Sequence, residues 1–592
     1  MPIAQTTTVE QEAPEAPKHT VAVLQEAVAT EALVVEVARQ EVVVIEAPPV
    51  VLEVLEAQQG HLPQVAGHHL AVEAVVEEEI KVSIYPNLIK IQKKMKRKLT
   101  FIMVLACAAL SAQNINEVLQ YSTENLQGTA RFQGMAGAFG ALGGDLSALN
   151  INPAGSAVFN NSQFTVSGTN YNRNNDAIFS NTTNNTKLNS LDINQIGGVF
   201  IFKSNDNSNW KKLALALNYD MVQSFDDEYF VSGNNTQGID NYFLSSAQGV
   251  PFGQLLLQDG EFIENAYLDV GSSLGFSDQQ AFLGYYGGII NPVDDNNTAY
   301  VSNAQYSSVN QEFFQSTKGY NSKFTVNFGG QYQENLYVGA SMNFHTVLYD
   351  KITEFTETGY DTASEIQFTH FDNLLHSEGE GFSFSLGGIA KLNDNIRIGG
   401  SYQSPTWYHL TDDTSQRINS DLADSDIGFI DFRIVNLFEA YTIKTPSKLT
   451  GSAAIIFGKE GLISFDYGYQ DMSQAELRPS SNPSFASENT YISNQLGQVN
   501  SYRIGGEYRI DAVSLRAGYR FEESPYVNGT TIGDLTGYSG GIGYRFGGNR
   551  LDLSINRTEQ DINKQLFDTG LTSTALINNI NTNITLGYTV NF

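Results

Sequence analysis

The sequence is poor in cysteine and in charge, and what charge it has is mostly negative. Its one cysteine, Cys107, lies in an apolar segment that we interpret below as a signal peptide, so disulfides, Cys-ligated zinc and Cys nucleophiles are not expected in the mature chain. Charged residues make up 17% of the 592 residues, and the formal net charge is −30. Nucleic-acid binding is not expected, because there is no basic surface to replace phosphate counterions.

The sequence also lacks a convincing catalytic or metal-binding motif. Gly-x-Ser-x-Gly occurs around Ser273, in a predicted loop, and around Ser539, in a predicted strand, whereas a nucleophile elbow needs a strand, a sharp turn and a helix. Asp294-Asp295-Asn296-Asn297 lacks the order of a calcium loop, and His345, His370, His376 and His409 show no paired metal spacing. We therefore expect a protein that is not an enzyme and binds no metal or cofactor.

The first 112 residues differ from the rest of the chain. Residues 1–94 are a low-complexity stretch rich in Glu, Val and Ala, and residues 95–112 combine a basic start, a short apolar run and small residues, as in a secretory signal. The apolar run is too short for a membrane helix, which needs about 20 residues. We predict that 95–112 is a signal peptide and that Met95 is the true start. The alternative is that 1–94 is a real disordered extension, and N-terminal sequencing of the native protein would decide between the two.

Apolar and polar residues alternate along most of the chain after residue 160. Residues 501–510 and 513–521 each place apolar side chains at every second position, and only Asp511-Ala512 separates them, as in a tight hairpin. Similar pairs recur, joined by short turns. The links between pairs are long and polar: 226–320, 351–379, 409–446, 471–499, 523–536 and 560–580. With a first strand near 163–172 and a last at 582–592, residues 161–592 are predicted to form an all-β, transmembrane antiparallel β-barrel of about 14 strands in a bacterial outer membrane.

The polar face of the strands carries charges that suit a wet barrel lumen better than a soluble β-sandwich. The predicted lumen charges are Asp466, Arg503, Glu507, Arg509, Arg516, Arg520 and Arg545. They form an Arg–Glu network in one interpretation, and an arginine binds a ligand carboxylate in the other. Tyr and Phe at strand ends suit an aromatic girdle. The last strand ends at Phe592, which resembles the signal read by the outer-membrane barrel assembly machinery.

Residues 113–160 do not alternate and are rich in small residues, notably at Gly134–Ala141 and Asn152-Pro153-Ala154-Gly155. Small residues permit close backbone approach, so the segment is predicted to be a hatch or plug inside the lumen. Here residues 113–592 resemble the outer-membrane transporters of long-chain fatty acids and hydrocarbons (the FadL, TodX and OmpP1 group), in the form common in Bacteroidetes. The resemblance implies that Asn152, Pro153, Ala154 and Gly155 are hatch residues near the strand Leu213 to Phe225, where a kink opens a lateral passage. In the alternative, Pro153 simply ends a turn.

The long link 226–320 carries more apolar surface than an exposed loop should. Apolar residues fall at helical spacing around 239–247 and again around 282–286, with Ser277 as a plausible cap. The candidate ligand-groove residues are Tyr242, Phe243, Leu255, Leu256, Phe282, Leu283 and Tyr286. Either they form a groove that receives a hydrophobic ligand, as the resemblance implies, or the helices pack on each other as a lid.

Taken with the resemblance, these features predict facilitated diffusion of hydrophobic molecules such as long-chain fatty acids through a loop groove and a hatch-gated lumen. The expected partners are hydrophobic small molecules, outer-membrane lipid and the assembly machinery. The alternatives are a non-specific porin, an outer-membrane lipase, and an adhesin or purely structural barrel.

Overall fold

The computed structural model describes residues 113–204, 207–294 and 297–592; the predicted signal peptide and residues 1–94 lie outside these residues. Most of the described chain is β-strand. The strands in chain order are β1 Gln163–Phe179, β2 Thr182–Lys203, β3 Trp210–Ser224, β4 Asp227–Asn235, β5 Ile290–Pro292, β6 Tyr300–Ser302, β7 Val309–Tyr332, β8 Leu336–Thr358, β9 Phe368–Lys391, β10 Ile396–Gln403, β11 Trp407–Ser420, β12 Asn436–Leu437, β13 Tyr441–Lys444, β14 Lys448–Phe457, β15 Gly461–Asp471, β16 Glu476–Arg478, β17 Gln498–Ile510, β18 Val513–Glu522, β19 Leu535–Phe546, β20 Asn549–Gln565 and β21 Thr574–Asn591.

These strands close into a barrel of fourteen. Each strand of the barrel pairs antiparallel with its neighbours, and β1 pairs both with β2 and with the last strand, β21, so the sheet has no open end. The fourteen are β1, β2, β3, β7, β8, β9, β10, β14, β15, β17, β18, β19, β20 and β21. Short strands extend some of them; β4, for example, continues β3 along β7, and β11 continues β10 along β9. The predicted barrel is therefore confirmed.

Several strands are longer than the sequence indicated. The predicted links 351–379 and 560–580 are largely strand, because β8 reaches Thr358, β9 starts at Phe368, and β20 and β21 run to Gln565 and from Thr574. The predicted first and last strands were also too short, since β1 extends to Phe179. These extensions lie at the long-loop end, where the outer face is no longer in lipid and needs no apolar residues, so the alternation that marks a strand disappears.

Successive side chains of each strand point alternately to the outside and to the inside of the barrel. Apolar residues such as Phe382, Phe384 and Leu386 are exposed on the outer face, whereas Ser383 and Ser385 between them are buried. Exposed aromatic residues gather near the short turns, as in a girdle: Phe202, Trp210, Phe457, Tyr508, Tyr544 and Phe546. A closed barrel with this outer band satisfies its backbone hydrogen bonds within lipid, and the chain is an outer-membrane β-barrel.

The helices lie before the barrel and in its long connections. They are α1 Ile115–Ser122, α2 Ala130–Gln133, α3 Asp240–Ala247, α4 Ile263–Leu274, α5 Phe276–Tyr286 and α6 Pro483–Gln495, with 3₁₀ turns at Leu146–Asn150, Pro153–Val158, Phe252–Gln254, Ile427–Phe429 and Met472–Gln474. Within the described residues, none of the helices is long and apolar enough to cross a bilayer. Ser277 does not cap α5, which begins after Gly275, a glycine with a φ of 111° that ends α4 as well.

Candidate functional site

The plug segment, residues 113–160, is seated against glycines of the barrel wall. A Cβ on Gly505 would stand 2.4 Å from the carbonyl oxygen of Met135, and one on Gly399 would stand 2.5 Å from that of Gly140. A Cβ on Gly518 would stand 2.5 Å from the Met135 carbonyl carbon. No larger residue fits at these positions without moving the plug. The small residues of the plug therefore meet bare backbone on the facing strands.

Asn152 fixes the predicted hatch motif to the wall by hydrogen bonds. Its Oδ1 accepts from the Ala154 N–H at 3.1 Å, and its Nδ2 donates to the carbonyls of Gly140 at 2.8 Å and of Gly388, in β9, at 3.0 Å. A Cβ on Gly339 would stand 2.3 Å from the Pro153 carbonyl oxygen. The motif thus contacts β8 and β9 directly. The segment also approaches β3, as the resemblance implied: Ser147 Oγ donates to Asp220 Oδ1 at 3.4 Å, and Lys212 Nζ donates to the Phe159 carbonyl at 2.9 Å.

Glu507 is the centre of a buried ionic cluster between plug and wall. It accepts hydrogen bonds from Arg131 Nε of the plug at 2.9 Å and from Arg516 Nε at 2.7 Å, both ion pairs lying almost entirely out of solvent. Arg509 also reaches it at 2.5 Å, and Arg516 continues to Asp552 at 2.8 Å. The network interpretation therefore describes Glu507, Arg509 and Arg516, and it includes one arginine from the plug.

The remaining lumen charges have other surroundings. Asp466 accepts the backbone N–H groups of Phe139 at 2.9 Å and Gly140 at 3.0 Å, so it holds the plug rather than an arginine. Arg545 lies on the inward-facing set of β19 but is exposed at the rim, next to the Gly547 turn. Arg503 and Arg520 face each other across β17 and β18. Neither forms an ion pair within 4.0 Å among the described residues.

The long connections close the other end of the barrel with an apolar cluster, which we call the lid. Six of the seven predicted groove residues are buried in it: Tyr242, Phe243, Leu255, Phe282, Leu283 and Tyr286. They pack on each other and on strand residues such as Phe371, whose ring centroid is 5.2 Å from that of Phe243. Leu256 is exposed. In this arrangement the side chains contact one another, as in the lid interpretation, and do not line an open groove.

A cavity of about 400 Å³ lies between the plug and the lid. Leu126 of the plug lines it, and so do Tyr229 and Ile577 of the lid cluster. Polar side chains make up most of its wall, including a group of amides: Gln127, Asn175, Gln223, Gln315, Asn556, Gln560, Asn579, Asn581 and Asn583. Its size is within the range of small-molecule sites. The seven predicted groove residues do not line it.

The barrel wall is interrupted beside this cavity. β2 pairs with β3 only from Gln195 to Lys203, and its residues 182–193 pair with β1 alone. On the other side, Asp220 is the last residue of β3 that pairs with β2; β3 ends at Ser224, and β4 pairs with β7. Backbone pairing on this side of β2 therefore stops at Gln195. Further along β2, a side-chain hydrogen bond of 3.1 Å from Asn184 Nδ2 to Ser232 Oγ of β4 connects the two sides again. We call this interruption the wall gap.

Side chains of β1 cross the inner side of the wall gap. Arg173 Nη2 donates to the Ser224 carbonyl at 2.7 Å. Asn175 Nδ2 donates to Asp227 Oδ1 and to the Glu228 carbonyl, both at 2.7 Å. Arg173, Asn175 and Asp227 also line the cavity. The cavity is thus separated from the wall gap by hydrogen-bonded side chains, which can exchange partners without breaking a strand ladder.

The residues that sequence reasoning missed lie mainly in the plug and in β1. Arg131 is a lone cation in a stretch of small residues predicted to lie inside a barrel, and that isolation was a usable signal, because a buried cation needs a partner. Arg173 and Asn175 sit in a polar run with no such signal. Asn194 is the extra residue of a bulge in β2 and donates to the Gly128 carbonyl at 2.7 Å, which the sequence could not show.

The residues of the chemical motifs lie in different elements of the structure. Ser273 lies in α4 rather than in a loop and donates to the Asp269 carbonyl at 2.5 Å. Ser539 lies within β19, as predicted. In the part of the chain that the structure describes, no three His, Cys, Asp or Glu side chains are grouped as metal ligands would be. Residues 295 and 296 of the Asp294–Asn297 run lie outside that part.

Comparison with known proteins gives structural likeness only. No family model matches the chain, and no curated protein matches it. Among solved structures it is similar to a FadL homologue of Pseudomonas aeruginosa (12% identity, covering 80% of this chain and 100% of that one, TM-score 0.46). It is also similar to the monoaromatic hydrocarbon channel CymD (14%, 79% and 99%, 0.43) and to the toluene transporter TodX of Pseudomonas putida (13%, 80% and 100%, 0.43).

These neighbours include proteins of the group that the sequence resembles. At identities of 12–14% and TM-scores below 0.5, the likeness is too distant to show what this chain binds.

Proposed function

We propose that the protein carries hydrophobic or amphipathic molecules across the outer membrane by facilitated diffusion, and that the wall gap is their way between the cavity and the bilayer. The observation that carries the proposal is the missing β2–β3 ladder beside an internal cavity. Leu191 and Ile193, on the unpaired part of β2, are 78% and 55% exposed, so the gap has an apolar outer edge. A molecule that leaves there enters lipid without crossing the plug.

The arrangement favours this route over that of a non-specific porin. A porin offers a continuous water-filled passage along the barrel axis. Here the plug meets bare wall backbone at one end and the aromatic lid closes the other. The proposal includes a hatch role for Asn152, Pro153, Ala154 and Gly155, with the plug held in place while ligand moves sideways. Long-chain fatty acids belong to the proposed ligands because they have both an apolar chain and a polar end.

The proposal is tested by fastening the wall gap. Cys is placed at Asn184 and Ser232, on the two sides of the gap, and the pair is joined in whole cells by a bis-methanethiosulfonate cross-linker, which forms a reducible disulfide with each thiol and releases methanesulfinate. Uptake of radiolabelled oleate and of radiolabelled toluene is then measured. Wild-type cells are expected to take up at least one of the two faster than cells without the protein. The cross-linked variant is expected to fall to the rate of cells without the protein and to recover after reduction.

The matched control joins Thr356 and His370, which face each other in the intact β8–β9 ladder with Thr356 Oγ1 and His370 Nδ1 2.9 Å apart and open to solvent. That cross-link is expected to leave uptake unchanged. Uptake that persists with the gap fastened would remove the lateral route. A steady ionic conductance of the wild-type protein in planar bilayers would favour the porin instead.

A further inference from the structure

The short-turn end of the barrel carries two pairs of like charges. Lys203 of β2 is directly opposite Lys212 of β3, and Lys391 of β9 is directly opposite Arg397 of β10. Residues opposite each other in an antiparallel ladder share a face, and like charges at such positions destabilise the sheet. Both pairs lie on the inner face, because the apolar residues next to them in the sequence are exposed on the outer face. We call these four residues the basic cluster.

The two pairs of the basic cluster converge on one aromatic ring. Lys212 Nζ is 5.9 Å from the ring centroid of Tyr337, and Lys391 Nζ is 5.1 Å from the same centroid. Lys203, Lys391 and Arg397 all repel the Lys212 ammonium. Four strands therefore bring four positive charges together at the end of the lumen that faces the periplasm.

The carboxylates of the neighbouring turns do not neutralise the basic cluster. Glu334, in the turn between β7 and β8, attracts the Lys212 ammonium, and Asp394 lies in the turn between β9 and β10. Among the described residues, however, no carboxylate oxygen lies within 4.0 Å of any cation of the cluster. Residues 205 and 206 of the β2–β3 turn lie outside the described residues.

Plug carbonyls are the hydrogen-bond partners of two members of the cluster. Lys212 Nζ donates to the Phe159 carbonyl at 2.9 Å, and Arg397 Nη1 donates to the Leu142 carbonyl at 3.1 Å. Arg397 Nε is buried and has no hydrogen-bond partner among the described residues. A carbonyl accepts a hydrogen bond but carries no net charge, so the repulsion within the two pairs remains.

Other arginines near the same end of the barrel are paired with acids. Arg509 is 2.5 Å from Glu507, and Arg550 is 2.6 Å from Asp552. Cation and anion are thus supplied together on these strands, whereas the basic cluster consists of cations alone. A negative charge that balances the cluster has to come from outside the described part of the chain.

We infer that the basic cluster is a binding site for a phosphate group, which lies between the two pairs. A phosphate group carries about two negative charges at neutral pH and several acceptor oxygens, so it offsets the repulsion within both pairs better than a singly charged ion does. The guanidinium fork of Arg397 suits phosphate oxygens. Only 8% of Lys212 is exposed, so the surface of a folded acidic protein does not reach it. The phosphate is either free in the periplasm or part of a lipid headgroup.

The test measures phosphate binding directly. Full-length mature protein in dodecyl maltoside is equilibrated with radiolabelled orthophosphate at low salt, where charges are least screened. The wild type is expected to bind phosphate saturably. Lys203→Gln and Lys391→Gln are each expected to bind it about tenfold more weakly or worse, the range of a charge-assisted hydrogen bond. These two lysines are chosen because the plug hydrogen bonds of the cluster belong to Lys212 and Arg397.

Lys459→Gln is the matched control, since it removes an exposed lysine from another short turn; it should bind phosphate as the wild type does. All variants are first checked for the heat-modifiable migration of a folded barrel. The site is separate from the cavity and the wall gap, so the result does not depend on the proposed function.

Thermal unfolding supplies a second measurement. Without phosphate, Lys391→Gln should unfold at a higher temperature than the wild type, because one repulsion has been removed. Saturating phosphate should raise the unfolding temperature of the wild type more than that of the variant, because a ligand stabilises the folded state that binds it.

Competition distinguishes the two sources of the phosphate group. Displacement of the label by dihexanoyl phosphatidic acid would identify a lipid headgroup as the ligand, and no displacement would identify free phosphate. Stronger displacement by hexaglutamate than by unlabelled phosphate would overturn the inference in favour of an acidic peptide. The inference would also be wrong if the wild type showed no saturable binding, or if Lys203→Gln and Lys391→Gln both bound phosphate as tightly as the wild type.

Discussion

The two ends of the lumen are closed by different physical means. At the short-turn end, the plug meets wall glycines at backbone distance and is bound by carboxylates, with Asp466 accepting plug amides and Glu507 binding Arg131. At the long-loop end, the lid is held by packed aromatic rings such as Phe243 and Phe371. The first closure depends on fit and on charge pairing. The second depends on apolar burial, which grows and shrinks gradually with the area in contact.

This difference indicates which end is the movable one. A close-packed seat with a buried ionic cluster has few intermediate arrangements, because a partly opened pair leaves a charge without a partner. An apolar cluster can loosen at its edge and still retain most of its contacts. We therefore expect the lid to open when a ligand enters, while the plug stays in place. Each of the following changes tests either the plug or the lid.

The largest effect is expected from adding a side chain to one of the wall glycines that lie against the plug. Gly518→Val places a branched side chain where a Cβ alone would be 2.5 Å from the Met135 carbonyl carbon, so the plug cannot occupy its position. We expect a barrel that still folds but shows steady ionic conductance in planar bilayers, where the wild type shows none. Gly540→Val, on the neighbouring strand, is the control and should stay closed, because a Cβ there would come no nearer than 3.8 Å to another atom, the Arg516 carbonyl oxygen. Closed Gly518→Val channels would mean that the plug is not what seals the lumen.

A smaller, local effect is expected from removing one aromatic ring of the lid. Phe243→Ala removes a fully buried ring from the cluster, and such a change costs about 3–5 kcal/mol in a packed core. We expect hydrogen exchange in residues 240–286 to speed up strongly, while the barrel strands keep their protection. Leu256→Ala, at an exposed position of the same connection, should change exchange little. If the barrel strands lost protection together with the lid, the two ends would be one cooperative unit and the contrast between them would not hold.

The smallest effect concerns pH and the helix α1, next to the cavity. Burial raises the pKa of the Glu117 carboxyl well above its ordinary value, the neighbouring Asp412 raises it further, and Lys351 opposes them. A raised pKa in the folded state means that the docked helix prefers the protonated side chain, so docking is strongest at low pH. It weakens as the pH rises from about 4.3, the ordinary value, towards the raised one.

We therefore expect the amides of 115–122, corrected for intrinsic rates, to exchange faster at pH 8 than at pH 5. Glu117→Gln, which cannot ionise, should remove that dependence and protect the helix at both values. An identical pH response in the variant would assign the effect to another group.

Some strands could be predicted from the sequence and others could not. Tyr502, Ile504 and Tyr508 alternate with polar neighbours, so the strand that carries them was predictable from its own residues. The unpaired stretch of β2 was not, because Asn, Ser and Thr on both faces look the same whether or not a strand pairs beside them. The wall gap is a matter of register between distant segments, and no local pattern encodes it.

The site residues divide in the same way. Arg516 and Arg520 have the same residue type and lie on the same face of β18, so their sequence positions cannot show that, among the described residues, only Arg516 has a carboxylate within ion-pair distance. Apolar spacing located the helices that carry Tyr242 and Phe282. It could not distinguish a face that binds a ligand from a face that packs on its neighbour, since both require the same apolar residues.

The wall glycines that lie against the plug also constrain the order in which the plug and the barrel strands come together. A Cβ on Gly541 of β19 would stand 3.4 Å from Gly134 Cα, and one on Gly587 of β21 would stand 3.4 Å from Ala130 Cβ. Asn556 of β20 donates a hydrogen bond to Gln133 at 2.6 Å. The plug precedes every strand in the chain, yet part of its seat is built from the three strands synthesised last. The plug therefore cannot dock completely while the chain is being synthesised and exported. It can dock completely only after the last hairpin, β20 and β21, has joined the barrel.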